Sequence, residues 1–517
     1  MERTPALSAF DAEVDLLIIG GGATGLGIAV DAATRGYTTA LAEAGDFAQA
    51  TSSRATKLVH GGVRYLASGE IHLVREALHE RAVMVRNAPH LVRPLPFVLP
   101  AYEAGQRVFY GIGLTIYDLL SGKATLGPTH SLRPAAAIEA IPGLNPRGLR
   151  GGILFHDGQF NDARLALTLA RTALDHGALV RNYTRCMRLI HGDSGRLTGA
   201  VLRDEETGNE VTVRAKVIIN ATGIFTDDLR QMDQPDASKL LSVSRGTHIV
   251  VRAEVLGGDH AIIVPKTSDG RVIFLIPWQG RVVIGTTDLP APASVMEPGH
   301  TAEEIDYLLE LSNRYLAYPI DRSDILSVFS GLRPLVTGKA ATTAGLSREH
   351  HIDLAPSGLI SIAGGKWTTY RRMAEDTLDF AVGHGMLPAR SSVTAKLPLH
   401  GATDAVVADP YLREYGTDAA MIEALTSDPS LGAKIDPALP YTFAQVTYAV
   451  HEEMARTLED VLSRRTRALL LDARAALRAA PQVAAVMAAE MNQSREWVEA
   501  QVSSFTKLVQ ADYLLEE

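Results

Sequence analysis

An α/β chain is predicted, with a Rossmann-like dinucleotide-binding domain, a mixed-sheet domain and a helical C-terminal domain. Three observations carry this. The apolar run Leu16-Leu17-Ile18-Ile19 feeds directly into Gly20-Gly21-Gly22-Ala23-Thr24-Gly25, and Ala40-Leu41-Ala42-Glu43 follows. Several strand-like segments fill residues 246–290. From 409 to 517, Ala, Leu, Glu and Arg dominate and β-branched runs are few, as in a helical domain.

Residues 14–44 read as strand, helix and strand. Gly20 makes the turn, Gly22 lets the backbone approach a pyrophosphate, and Gly25 lets the helix lie close to the strand. Glu43 ends the second strand, where an acid accepts hydrogen bonds from a ribose 2′-hydroxyl. Residues 45–70, rich in Ser, Thr, Gly and cations, read as a ligand-facing loop, and a helix is predicted over 70–88 with Leu73, Ala77, Val83 and Met84 on one side. Proline then crowds 89–100. Val108, Phe109, Tyr110, Ile112, Leu114, Ile116, Tyr117, Leu119 and Leu120 follow with few charges. Buried packing is the first expectation for this segment, and a surface lying on a membrane is the rival.

Further on, Asp162–His176 is a predicted helix ended by Gly177, and Ala178–Val180 starts a strand. Val201–Asp204 and Val211–Val213 read as a hairpin, and Lys216–Gly223 as a hydrophobic strand whose small polar end suits a nucleotide. Strands are expected at Thr247–Val251, Ala261–Val264, Arg271–Ile276, Arg281–Thr286 and Gly358–Ala363, the last followed by Gly364-Gly365 and a helix from 366. The expected domains are a discontinuous cofactor domain (12–95, 150–245 and 345–385), a substrate or cap domain (96–149 and 246–344) and a helical domain (390–517).

With 517 residues, two or three domains are expected. The net charge of -9, with no offsetting basic tail, argues against a nucleic-acid partner. The single cysteine, Cys186, excludes an intramolecular disulfide and redox thiol pairs. The polar start resembles no secretory signal and no run approaches the ~20 apolar residues of a membrane span, so an intracellular protein is expected. No histidine spacing argues for a metal, and adjacent His350 and His351 point to opposite faces of a strand. Ser52-Ser53 lacks the strand–turn–helix elbow of a nucleophilic serine.

The glycine set of the cofactor site is completed by Gly364-Gly365-Lys366. A second helix start suits the N1–C2=O edge of a reduced flavin, which becomes anionic, and so favours FAD over NAD. Cations recur beside glycines: Arg54, Lys57, His60 and Arg64 around Gly61-Gly62, Arg245 and His248 around Gly246, Arg333 after Gly331, then Arg348, His350, His351 and Lys366. In an acidic chain this pattern suggests an anionic substrate, because an arginine fork suits phosphate or carboxylate.

Taken together, these motifs resemble the FAD-dependent glycerol-3-phosphate dehydrogenases. The resemblance rests on Gly20–Gly25, Ala50-Thr51-Ser52-Ser53, Lys57–Leu66, Asp162-Ala163-Arg164-Leu165, Asn220-Ala221-Thr222-Gly223 and Arg245-Gly246-Thr247-His248. It continues through Ile284–Asp288, Gly331–Leu335, Ser347–His350 and Gly364–Arg371, and Asp460–Arg467 resembles the family's C-terminal signature. Thr24, Phe225 and the Phe160-Asn161 pair depart from the residues usual there.

The resemblance implies a cofactor fold of the glutathione-reductase/D-amino-acid-oxidase type. FAD would be held by Gly20, Gly22, Gly25, Glu43, Thr51, Ser52, Ser53, His60, Gly61, Gly62, Ala221, Gly223, Gly364, Gly365, Lys366 and Thr368. It implies sn-glycerol 3-phosphate as substrate, oxidised at C2 to dihydroxyacetone phosphate, with electrons passed to a quinone. His248, Arg333 and Lys366 take the catalytic positions, and Arg64, Tyr65 and Arg348 the substrate-binding ones. A neutral histidine suits removal of the hydroxyl proton, so His248 is the favoured base, with Arg333 and Lys366 as rivals. A glycerol-3-phosphate oxidase using oxygen, or an FAD enzyme for amino or hydroxy acids, stays open. The expected setting is cytoplasmic, with peripheral contact on the inner face of the membrane; a homodimer is left open.

Overall fold

The computed structural model describes residues 5–62, 70–264, 272–337 and 350–515. Two sheets organise the molecule. The first has eight strands among the described residues, and its main order is His350–Leu354, Ile360–Gly364, Glu210–Asn220, Glu13–Ile19, Thr39–Ala42, Leu179–Arg181. Strands from Ile360–Gly364 to Leu179–Arg181 run parallel. Because side chains alternate along a strand, Leu16 and Ile18 bury with Leu26, Ile28, Leu165 and Leu378 on one face. Leu17 and Ile19 bury with Leu189, Leu202, Val213 and Ile218 on the other. The helix Ala23–Thr34 lies so close to the sheet that a Cβ on Gly25 would sit 1.9 Å from the Gly20 carbonyl oxygen.

The expected hairpin is present, with Glu210 opposite Arg203, but its second arm does not stop. Glu210–Asn220 is one strand, antiparallel to Leu197–Asp204 at its start and parallel to Glu13–Ile19 at its end. The predicted helix at 162–176 and the strand after it form as Asp162–Asp175 and Leu179–Arg181.

The second sheet has ten strands among the described residues. Its order is Leu289–Pro290, Leu241–Arg252, Arg281–Gly285, Ile273–Trp278, Ala261–Val264, Arg93–Pro100, Gly152–Gln159, Leu58–Val59. Ser327–Val336 pairs with Leu241–Arg252, and His130–Leu132 with Gly152–Gln159. Ala261–Val264 and Arg93–Pro100 are parallel and the other pairs antiparallel, so the sheet is mixed. Leu58–Val59, Arg93–Pro100 and Gly152–Gln159 therefore belong to this sheet, although the sequence groups 58–95 and 150–159 with the cofactor domain. The prolines obscured the strand at 93–100. Pro94, Pro96 and Pro100 all fall on even positions, so their missing N–H groups line one edge and the other edge keeps its donors.

Helix Ala302–Asn313 covers one face of this sheet, burying Ile305 and Leu308 against Ile249, Val251 and Ile262. The C-terminal domain covers the other: Val446, Leu462, Leu469, Val483 and Met487 bury with Val250, Ile276, Trp278 and Phe329. Helix Gln106–Ser121 is half-anchored. Leu114, Tyr117 and Ser121 are buried, but Val108 (64%), Phe109 (73%), Ile112 (59%) and Leu119 (74%) are exposed. Buried packing thus holds only for its inner face, and the rest is an apolar stripe in solvent. No helix among the described residues is long and apolar enough to cross a membrane.

Candidate active site

A cleft runs along the ends of the parallel strands, where open α/β sheets bind their ligands. It is lined by Gly20, Gly22, Glu43, Thr51, Ser52, Ala221, Gly223, Gly364, Gly365 and Lys366, all expected at the cofactor from sequence. Thr24 and Phe225, the departures noted above, line it too. A Cβ on Gly20, at φ +112°, would strike the Ala221 carbonyl oxygen at 2.5 Å, so only glycine gives this turn. Glu43 accepts hydrogen bonds from Gly21 N at 2.6 Å and Gly45 N at 2.9 Å. Burial raises its pKa above the ordinary carboxylate range, and those two donors oppose the rise. Ser52 Oγ accepts from Ala23 N at 2.9 Å, tying the 51–53 turn to the first helix start. The N-terminus of that helix, whose N-cap Gly22 has no capping side chain, the close glycine backbone and the acid beyond it fit an extended dinucleotide.

Gly25, Ser53, His60, Gly61, Gly62 and Thr368 do not line this cleft. Gly25 sets the helix–strand approach, and the Ser53 carbonyl faces Lys57 Nζ (2.9 Å) and Arg467 Nη2 (2.6 Å). Thr368 Oγ1 accepts from His60 N at 3.3 Å, joining the His60–Gly62 loop to the turn that carries Lys366. Gly61 N donates to Tyr117 Oη at 2.8 Å.

His248 and Arg333 reach one face of the second sheet by register. His248 pairs with Phe329, Gly246 with Gly331 and Ser244 with Arg333, and alternation puts all of them on the same side. The glycines make the room. A Cβ on Gly285 would lie 2.2 Å from His248 Cδ2, and one on Gly246 2.2 Å from Arg333 Nη2. The His248 ring stacks on Phe329 with centroids 4.6 Å apart, its Nε2 is 3.0 Å from Thr56 Oγ1, and its Nδ1 is buried without a hydrogen-bond partner. Burial, then the Lys57 and Arg333 charges, hold its pKa well below the ordinary range, so the ring is neutral at neutral pH. Arg333 donates to Asp288 (3.2 Å), Thr286 Oγ1 (3.1 Å) and the Thr287 carbonyl (3.0 Å). Behind these strands, buried Glu304 accepts from Thr247 Oγ1 (2.9 Å) and Thr287 Oγ1 (2.7 Å) and pairs with Arg245 (2.8 Å).

Several cations read from sequence as substrate-facing are occupied by structural partners instead. Arg54 pairs with Glu297, Arg245 with Glu304, His350 with Asp376, and Lys57 with fully buried Asp162 at 2.7 Å. Burial pushes the Lys57 ammonium down to about 7; Asp162 opposes this and Arg467 adds to it. Arg64, Tyr65 and Arg348 lie outside the described residues.

The C-terminal signature has a role the spacing did not reveal. Arg464 and Arg465 both bind buried Asp46, and Arg467 reaches Asp162 (3.2 Å) as well as the Ser53 carbonyl. Residues 460–467 are therefore ion-paired to two acids of the cofactor loops.

Residues 15–404 match the family model described as FAD dependent oxidoreductase, and 359–498 match the C-terminal domain of alpha-glycerophosphate oxidase. The chain is 42% identical over 516 residues to the mitochondrial glycerol-3-phosphate dehydrogenase of Homo sapiens, covering 93% of this chain and 71% of that protein. For the Mus musculus protein of the same name the identity is 40% over 533 residues, covering 96% and 73%. Its fold matches the glycerol-3-phosphate dehydrogenase from Bacillus halodurans complexed with FAD, with TM-score 0.79, 31% identity and coverage of 98% and 96%. A likeness in fold alone extends to the L-alpha-glycerophosphate oxidase from Mycoplasma pneumoniae with FAD bound, at TM-score 0.58 and 16% identity over 74% of this chain and 96% of that one.

Proposed function

The chain belongs to the FAD-dependent glycerol-3-phosphate dehydrogenase family, and from that premise we propose that it oxidises sn-glycerol 3-phosphate at C2 to dihydroxyacetone phosphate and passes the electrons to a quinone. The observation that carries the reading is the register that sets neutral His248 and the Arg333 fork on one face of the second sheet. Bound FAD supplies the acceptor for the C2 hydride. His248 takes the hydroxyl proton at Nε2, the nitrogen with a polar neighbour, because Nδ1 is sealed in the protein. Arg333, fixed by the Thr286-Thr287-Asp288 loop, stabilises the alkoxide as it develops. Lys366 adds a cation at the glycine turn of the cofactor cleft. Arg64 and Arg348 bind the phosphate end of the substrate, and Tyr65 belongs to the same substrate pocket.

The exposed apolar stripe of Gln106–Ser121 favours quinone over oxygen as acceptor. An amphipathic helix with Val108, Phe109, Ile112 and Leu119 outward lies in a bilayer surface, where quinone is dissolved, and an enzyme that uses oxygen has no need of it. On this reading the protein is a peripheral membrane protein. Anaerobic glycerol 3-phosphate should bleach the flavin within one turnover, and a soluble quinone should restore its colour. Failure to bleach refutes the substrate; rapid peroxide formation in air refutes the quinone assignment. Arg348→Ala should raise KM for glycerol 3-phosphate far more than for glycerol, and an equal change for both removes it from the phosphate site.

A further inference from the structure

We propose that Tyr117 transmits lipid contact on the outer face of helix Gln106–Ser121 to the His60–Gly62 loop, which is tied to the turn that carries Lys366. The inference rests on the bilayer docking read above and adds how docking is felt inside. Three observations lead to it.

The helix runs between two glycines. Its flanking residues Gly105 and Gly122 have φ of +84° and +53°, and a Cβ on either would meet nothing within 4 Å. Both ends are tied: Gln106 Oε1 accepts from Tyr102 N (3.0 Å) and Glu103 N (3.1 Å) at the start, and Arg81 holds Ser121 at the finish, so the buried inner face carries the link inward. That inner face is Leu114, Tyr117 and Ser121, all buried.

Of these, Tyr117 makes the polar connection to the cofactor side. Its hydroxyl donates to Asp157 Oδ2 at 2.7 Å and accepts from the Gly61 amide at 2.8 Å. Asp157 is itself fixed by Arg81 at 2.7 Å, and Arg81 reaches back to Ser121 Oγ (3.3 Å) and the Ala124 carbonyl (3.1 Å). The end of the helix is thus braced to the body through one buried ion pair, and Tyr117 hangs the loop on that brace.

Gly61 has no slack. A Cβ there would lie 2.5 Å from both Tyr117 Oη and Leu78 Cδ2, so the loop backbone is seated directly against the tyrosine. From Gly61 the link continues through the His60 amide to Thr368, in the turn that carries Lys366. A packed chain of this kind passes a small displacement on because close-packed groups cannot absorb it. On the outside, Val108, Phe109, Ile112 and Leu119 offer an uncharged face, so the occupant is the apolar boundary of a bilayer and not a charged partner.

The test uses the FAD-loaded protein and phosphatidylcholine vesicles, without substrate. On vesicle binding, amide exchange in peptides covering residues 58–62 should change at least fivefold and the visible flavin bands should shift. Tyr117→Phe keeps the ring and loses the hydroxyl. It should bind vesicles as tightly as the parent, yet its exchange response should fall below twofold and its flavin bands stay still. In Phe109→Ser/Leu119→Ser, vesicle binding and the loop response should vanish together. An equal response in parent and Tyr117→Phe overturns the link, as does binding of the parent with no response at residues 58–62. Absence of vesicle binding by the parent overturns the link and the docking together. Bleaching by glycerol 3-phosphate without vesicles reports separately on the reaction.

Discussion

Replacing Asp46 by asparagine should loosen the C-terminal domain from the cofactor loops. Asp46 is 0% exposed, and Arg464 and Arg465 are each 2% exposed, so the three groups form a desolvated cluster joining residues 418 and 419 positions apart. Arg464 keeps Asp460 (2.7 Å) and Glu459 (2.5 Å) when Asp46 loses its charge, whereas among the described residues Arg465 keeps one hydrogen bond, to the Glu453 carbonyl (2.6 Å). Breaking a buried pair by removing one partner costs about 3–5 kcal/mol, and since asparagine retains one acceptor the lower end applies, about 3 kcal/mol. At 1.36 kcal/mol per tenfold, that is roughly a 150-fold rise in the open population. A chain of several domains has no single unfolding transition, so the assay is native-state amide exchange in peptides covering 460–471, with the parallel-sheet strands as internal standard. Adding Arg465→Met should recover much of the loss, because the stranded cation is then gone. A change below threefold in Asp46→Asn, or a double variant worse than the sum of the singles, would refute the reasoning. The pH dependence has a fixed sign. Burial alone would raise Asp46, but Arg465 and Arg464 outweigh it and hold the carboxyl below its usual range. Its contribution is therefore complete above the ordinary carboxylate pKa and fades as pH falls through the lower, folded-state value.

His248→Asn should slow single-turnover flavin reduction by ~10²–10⁴-fold while FAD stays bound, and a near-normal rate would remove it as base. Since burial, Lys57 and Arg333 keep His248 neutral, the parent's reduction rate should be flat from pH 9 down to about the ordinary histidine pKa of ~6.5 and fall only below it; a half-maximal point near 6.5 would contradict the geometry. Gly285→Ala places a methyl 2.2 Å from His248 Cδ2 and should cut flavin reduction at least ~10-fold without flavin loss, as misplacement of a reacting group does; unchanged kinetics would mean the ring is not held there in catalysis. Glu43→Gln weakens the acceptors for Gly21 and Gly45 and should raise the FAD dissociation constant about tenfold in a titration of apoprotein; a change within twofold would count against it.

How legible each part was depends on the range of the interaction behind it. The cofactor cleft was readable because its signals are local: Gly20 to Gly25 follow a strand, and Gly364-Gly365 precede a helix. The second sheet's strands at 247–251 and 281–286 were visible as short β-branched runs and are found at Leu241–Arg252 and Arg281–Gly285. The strand at 93–100 was hidden, since its prolines read as loop while their placement on one edge shows only in the paired strand. The cations were recognised but not their partners. Lys57 and Asp162 are 105 positions apart and Arg54 and Glu297 are 243, and no spacing rule links residues so distant. For the helix at 106–121, apolar content was evident but not which side stays wet, because that depends on where the second sheet ends.

The bridge between Asp46 and residues 464–465 also orders events during synthesis. The amino-terminal strands and their glycine turn leave the ribosome first, with Asp46 and Asp162 destined for burial and their arginines not yet made. At ~5–20 residues per second, the 418 residues separating Asp46 from Arg464 take roughly 20–80 s to translate. Throughout that interval Asp46 lacks both of its arginines and the Ser53 carbonyl lacks Arg467, so the brace on these loops forms only once residues 464–467 have emerged. The glycine turns are therefore all made before the arginines that brace the loops around them.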